Sequence, residues 1–442
     1  MSEDLLIKNG LIVTGNERGA IYGKGHVSVS NGMITSIGPG GPSMKADTVI
    51  DASGCVVIPG LITAHTHLYG ILLRGASLNV DPPTDFAQVL QRVWWPLDEA
   101  LTVDDAYASA LSASADMLLN GSTLYADTYS GPNSIEGSLD AIARGTREVG
   151  IRGIVAFEMT ERHSQQEGER GFQEGLRFIK SLKKNDLVSG MMSIHASFTV
   201  GDEIVAKTVN EAKKLNVPIT VHTSEGLVDL YHNLERSGER TVERLSRLGV
   251  LGPRTVLAHC VHVNDHEMDL IAESKTSVAH NPMSNMLNAV GVSPVPSMLK
   301  RGITVGLGND GWIYDPFENM RCALTVHRLA SGNPSAIGPE QIFRMATLDG
   351  ARCYGMDSRI GSLEEGKSAD IVILDGSRVP TPLTKDSVIG HLLNTFGGSD
   401  VRDVFVGGIH SVENSRLKLT SQSNVAKISR ESARSLWSRL NK

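Results

Sequence analysis

Eight short apolar runs recur at residues 61–65, 122–127, 151–157, 191–195, 218–222, 255–259, 276–280 and 303–309, with helical patterns between them. In Glu203 to Leu215, for example, Ile204, Val205, Val209, Ala212 and Leu215 recur at helical spacing. Strand, helix, strand in succession implies parallel pairing with right-handed crossovers. Eight such units over roughly 270 residues suit an α/β fold of the (β/α)8 barrel type. A doubly wound open sheet is the alternative, because periodicity does not report closure. The interval 66–121 is too long for one crossover and predicts added helices over the barrel mouth.

The two ends have a different texture. His26-Val27-Ser28-Val29 and Met33-Ile34-Thr35 flank Asn31-Gly32, a strong hairpin signal. Short β-type runs return at Asp370 to Gly376 and Val401 to Val406. We therefore expect a small β-sandwich domain built from residues 1–58 and 357–420, a barrel over 59–356, and a helical tail over 421–442.

Composition excludes several classes. The formal net charge is −7 and the charges are interspersed, so no basic patch marks a nucleic-acid or anionic-membrane partner. Cys55, Cys260, Cys322 and Cys353 lie far apart with no CxxC pair, which fits a reducing compartment rather than a disulfide scaffold. The start is acidic, without the basic region of a signal peptide, and the apolar stretch at Cys55 to Ala64 is about half a membrane span. The expectation is a soluble cytoplasmic protein.

The polar residues at the strand ends carry the chemistry. Run 1 ends in Ala64-His65-Thr66-His67, and three others end at His195, His222 and His259; the last reaches Asn309-Asp310. Barrel enzymes gather their catalytic groups at this end of the strands. Any one of these histidines is more often a hydrogen-bonded core residue. Four strands ending this way are another matter. His65, His67 and His222 offer nitrogens and Asp310 a carboxylate, which suits a zinc-type divalent ion with room for a water. Glu225, three residues past His222, is placed to shuttle a proton, although a helix-capping role has equal standing for it in isolation. His259 is placed to orient the attacking oxygen or stabilise developing charge. Trp94, Trp95, Trp312 and Tyr314 are candidate pocket linings that serve equally well as core packing.

Gly306-Leu307-Gly308-Asn309-Asp310-Gly311 matches GxGxxG after a strand. The dinucleotide reading needs a helix to open there and an acidic residue roughly 20 positions on. Here Trp312-Ile313-Tyr314-Asp315-Pro316 delays the helix, and the later position falls in Ala330-Ser331-Gly332-Asn333.

Pro59-Gly60-Leu61-Ile62-Thr63-Ala64-His65-Thr66-His67 resembles the first-strand signature of the amidohydrolase superfamily. His222 to Glu225, Ala258 to His262, His280-Asn281-Pro282 with Ser284-Asn285, and Asn309-Asp310-Gly311 resemble its deaminase and s-triazine hydrolase branch. Gly361 to Asp370 is similar to that family's return into its β-sandwich, so the likeness spans nearly the whole chain. The resemblance implies His65, His67, His222 and Asp310 as metal ligands, Glu225 as proton shuttle and His259 as partner of the reacting water. It implies substrate contacts at His195 and Asn285, with Trp94 and Trp312 as further candidates. Binuclear members carry a lysine on the fourth strand; Met191-Met192-Ser193-Ile194-His195 has none, which favours one divalent ion, zinc or alternatively iron. Met286-Leu287-Asn288 replaces a stretch that is often basic in relatives.

The activity this implies is hydrolytic removal of ammonia or an alkylamine from an N-heterocycle such as a purine, pyrimidine, pterin or triazine. Hydrolytic dechlorination and cyclic amide hydrolysis are the alternatives, and a barrel kept only for binding is a third. The expected partner is a small-molecule substrate, and a homodimer or larger homo-oligomer is implied by the branch.

Overall fold

The computed structural model describes residues 3–41, 45–184 and 186–441. The chain opens in five strands: β1 (Glu3–Val13), β2 (Ile21–Ser30), β3 (Met33–Pro39), β4 (Ala46–Asp51) and β5 (Cys55–Pro59). β2 and β3 pair across Asn31-Gly32, whose φ values of 52° and 74° give the tight turn that matches strand twist. β1 is long and irregular. Its first part pairs with β4, its later residues Leu11 and Ile12 with β5.

The middle of the chain supplies β6 (Leu61–Thr66), β7 (Ser122–Tyr129), β8 (Arg152–Met159), the short β9 (Val188–Gly190), β10 (Met192–Ala196), β11 (Ile219–Thr223), β12 (Thr255–His259), β13 (Ser277–His280) and β14 (Val305–Leu307). Apart from β9, which flanks β8, these are the eight predicted runs. They pair in parallel in the order β6-β7-β8-β10-β11-β12-β13-β14. Alternate residues such as Ile62, Ala64, Leu124, Ala126, Ile154 and Ala156 share one core cluster, while Leu61, Tyr125 and Val155 join the larger cluster with the helices. Burial on both faces explains why the runs read as continuously apolar. The barrel closes where Asn309 N–H donates to the His65 carbonyl at 2.9 Å. Glycine is required nearby: a Cβ on Gly306 would stand 2.8 Å from that of Ala64.

The last strands, β15 (Ile371–Asp375), β16 (Val401–Val406), β17 (Ile409–Glu413) and β18 (Arg416–Leu417), return to the first sheet, β15 lying antiparallel to β5. Leu5, Ile7, Val27 and Val29 from its opening strands pack with Val57, Ile371, Ile373 and Phe405 in one core.

The interval after β6 holds a 3-10 turn at Leu68–Leu73 and helical segments Phe86–Val89, Leu90–Trp94 and Trp95–Ala100, before the long helix Val103–Leu119. Leu90–Trp94 is a wide π-type turn directly before Pro96, which has no N–H to continue the regular ladder. The final helix, Gln422–Leu440, reaches back over this region: Trp437 Nε1 donates to the Leu72 carbonyl at 2.8 Å, and Arg439 Nε to that of Ala100 at 2.8 Å. No helix among the described residues is long and apolar enough to cross a membrane.

Candidate active site

The residues flagged at the ends of β6, β11, β12 and β14 converge at one end of the barrel. His65 Nε2 lies 3.0 Å and His67 Nε2 3.2 Å from Asp310 Oδ1, and His67 Nε2 faces His222 Nε2 at 3.1 Å. The ligand atoms of these four residues all lie within 4.8 Å of one another. The outer ring nitrogens of His67 and His222 are already spent. His67 Nδ1 donates to the Thr128 carbonyl at 2.9 Å, and His222 Nδ1 to that of His195 at 2.7 Å. Each Nε2 is thereby left with its lone pair, and the two lone pairs point at each other. That contact repels unless a cation stands between them, either a metal ion or a second proton on His67.

The electrostatics make the same demand. Burial disfavours charge on His67, yet the carboxylates of Glu158 and Asp310 outweigh it and raise the imidazole to about 10. Burial likewise pushes Asp310 up, but the imidazoles of His259, His65 and His67 hold it well below the usual carboxylate range. Three nitrogens and one carboxylate around a buried centre that calls for positive charge fit a divalent ion. The backbone approach to this centre is strained: Asp310, His259 and Ser224 have φ of 56°, 72° and 48°. Such values at non-glycine residues persist where the surroundings enforce them, commonly at functional sites.

Glu225 and His259 stand beside the ligand set. His259 Nε2 is 3.6 Å from Glu225 Oε2 and 3.5 Å from Asp310 Oδ1, and has no hydrogen-bond partner. Its Nδ1 donates to Asn285 Oδ1 at 2.8 Å. Burial opposes charge on His259, but Glu225 and Asp310 bring it to about 9. Glu225 is raised, first by burial and then by the negative charge of Asp310, with His259 pulling the other way. The loops after β11 and β12 are knitted together by Val261 and His262 N–H groups donating to the Ser224 carbonyl, which holds Glu225 against His259. Asp310 is steadied by the Ser284 hydroxyl, which donates to Oδ2 at 2.6 Å.

These groups open into a cavity whose lining includes Phe86, Trp94, Trp95, Phe198, His195 and Glu158. Of the expected substrate contacts, His195 and Trp94 line it. Asn285 and Trp312 stand elsewhere. Asn285 is buried beneath His259 as its hydrogen-bond acceptor. Trp312 packs edge-on against Trp94 at 5.6 Å and lines a different cleft. Tyr314 is buried, its hydroxyl donating to the His67 carbonyl at 2.8 Å. Sequence reasoning missed Ser284 in its contact with Asp310, the Asp98–Arg162 ion pair at 2.8 Å, and Glu158. Glu158 had a visible signal: it is a charged residue near the C-terminal end of an otherwise apolar run, as His195 is a polar one at the end of its own.

Comparison with known proteins places these features in context. A family model described as "Amidohydrolase family" matches residues 56–409. A 5'-deoxyadenosine deaminase of Methanosarcina mazei is 33% identical, over 99% of each chain. A 5-methylthioadenosine/S-adenosylhomocysteine deaminase of Syntrophobacter fumaroxidans is 34% identical, over 94% of each. Among solved structures, an adenosine deaminase from Xanthomonas campestris with bound zinc superposes with a TM-score of 0.89 at 26% identity, over 99% of each chain.

Proposed function

Because the chain belongs to the amidohydrolase family, we propose that it is a metal-dependent hydrolase that removes an amino group from an N-heterocyclic substrate. The observation that carries this reading is the facing pair His67 and His222 closed by His65 and Asp310, with Glu225 and His259 beside them. His65, His67, His222 and Asp310 are its proposed ligands for one ion, zinc rather than iron, in keeping with the zinc-bound relative.

A divalent ion there supplies a water that loses its proton near neutral pH and a Lewis acid at the reacting carbon. Asp310, fixed by Ser284, aligns the attacking water and takes its proton. Glu225, protonated at the outset, gives its proton to the ring nitrogen beside the attacked carbon; the proton taken by Asp310 passes to the departing amine, and the proton of the added hydroxyl returns to Glu225 as the keto form appears. His259, anchored through Nδ1, presents Nε2–H to the oxygen on which charge develops. The aromatic walls at Phe86, Trp94 and Trp95 suit a flat ring. Water adds, the carbon–nitrogen bond breaks, and the products are the hydroxylated ring, as its keto tautomer, and ammonia or an alkylamine.

The named activities of the relatives make adenosine-type nucleosides the first compounds to assay, followed by free purines, pyrimidines, pterins and triazines. Ammonia release from at least one of them supports the reading; chloride release from a chlorinated ring without ammonia from any amino analogue replaces it with dechlorination. We further propose residues 1–58 with 357–420 and residues 59–356 as two domains, and assembly as a homodimer or larger homo-oligomer. A monomeric mass by light scattering would remove the assembly proposal alone.

A further inference from the structure

One buried carboxylate in the cavity has no role in the chemistry above. Glu158, near the end of β8, is 1% exposed, and its Oε1 has no hydrogen-bond partner. The nearest imidazole, His222, is 3.5 Å away through an Nδ1 already donated to the His195 carbonyl. Asp98, another carboxylate of this lining, is paired with Arg162 at 2.8 Å. Glu158 feels His67 and Arg162 only through space, and no guanidinium is bonded to it. A buried carboxylate oxygen left without a donor is destabilising, and it persists where a ligand completes it.

His195, which lines the same cavity, reinforces the pattern. The Thr199 hydroxyl donates to the Ala196 carbonyl at 3.1 Å, so the 2.9 Å contact between His195 Nδ1 and Thr199 Oγ1 is a donation from the ring. His195 Nε2 is therefore an acceptor. The ligand atoms of Glu158, His195 and His222 lie within 4.8 Å of one another. With His222 committed to the ion and the Thr128 hydroxyl already bonded to the Glu158 carboxyl, Glu158 Oε1 and His195 Nε2 remain as two adjacent acceptors.

We propose that Glu158 selects the substrate: it binds N–H donors on an edge of the ring other than the one attacked, so that the preferred substrates are amino-heterocycles with a second amino or amidine-like edge. This rests on the reading of the cavity as a deaminase site. Rings that place only a C–H or a lone pair there leave the carboxylate unpaired and are discriminated against.

The test is calorimetric binding to the metal-loaded full-length Glu225→Gln protein, in which turnover is slowed. Adenine is compared with diaminopurine, and aminopyrimidine with diaminopyrimidine. The expected result is tighter binding of each diamino compound, on the order of 30-fold, as for a charge-assisted hydrogen bond. Adding Glu158→Met should shrink the gap to within about threefold with metal content unchanged. Glu158→Gln, which keeps shape and folding, should shrink it partly. A preference that is absent from the start, or that survives Glu158→Met, overturns the proposal. So does equal weakening of all four ligands with loss of metal, which would make Glu158 a support for His222. Ammonia release by the native protein is scored separately: if it is present while the preference is absent, the deaminase reading stands and the role of Glu158 falls. Binding of none of the four removes the role of Glu158, while absence of ammonia release from every amino-heterocycle assayed removes the deaminase reading.

Discussion

The Glu225 carboxylate lies 3.6 Å from the Nε2 of His259, and the same nitrogen lies 3.5 Å from Asp310, so one buried imidazole bridges a carboxylate of the proposed ligand set and a carboxylate outside it. The arrangement separates holding the ion from moving protons. Asp310 contacts His65, His67 and Ser284, whereas Glu225, bonded by the Asn288 side chain, faces the cavity.

Glu225→Gln is expected to keep the metal and lose turnover. The amide preserves shape but cannot pass a proton, and general acid–base catalysis contributes typically 10²–10⁴-fold. A kcat loss in about that range with unchanged metal content, by steady-state assay and elemental analysis, is the predicted outcome. Turnover within about threefold of the native protein would assign the proton to another group.

His222→Ala should lose both metal and activity. It removes a nitrogen whose orientation the His195 carbonyl fixes, and with it the cationic centre between His67 and His222. Elemental analysis after dialysis should find the variant depleted while the native protein retains about one ion per chain. Full metal occupancy in the variant would remove His222 from the ligand set.

Asn285→Ala tests the hydrogen bond under His259. Losing the acceptor for Nδ1 frees the ring to turn and removes one of the groups that favour its protonated form. The account predicts a fall in kcat, KM within about threefold and metal content unchanged. A change in KM alone would mean that Asn285 meets the substrate directly.

Trp437→Phe probes the terminal helix. It leaves the Leu72 carbonyl without its 2.8 Å donor, a loss of about 1–3 kcal/mol in stability. Urea unfolding should show a lower midpoint, with metal content unchanged. An unshifted midpoint would show that the contact adds nothing.

Much of this was legible beforehand for identifiable physical reasons. Barrel strands are buried on both faces, so their runs are largely continuous, and histidines gather where strands end; His65, His195, His222 and His259 stood out against mostly apolar neighbours. Asn31-Gly32 announced a turn because few other pairs take two positive φ values. What stayed hidden depends on distant pairing. That Ser284 meets Asp310, that Asn285 lies under His259 instead of in the cavity, and that Trp312 backs Trp94 follow from how β12, β13 and β14 sit side by side. Glu158 was marked by its place near the end of a strand that stops at Met159, but that place alone does not tell a pocket carboxylate from one paired elsewhere.

The most direct measurement is a metal titration of the apoprotein with ammonia release as readout. Chelated protein should be inactive on an amino-heterocycle that the native protein turns over. Activity should rise in proportion to added zinc and level off at about one equivalent per chain, with His222→Ala giving no rise. Ammonia release from metal-free protein, or a plateau at about two equivalents, would contradict a single ion held by His65, His67, His222 and Asp310.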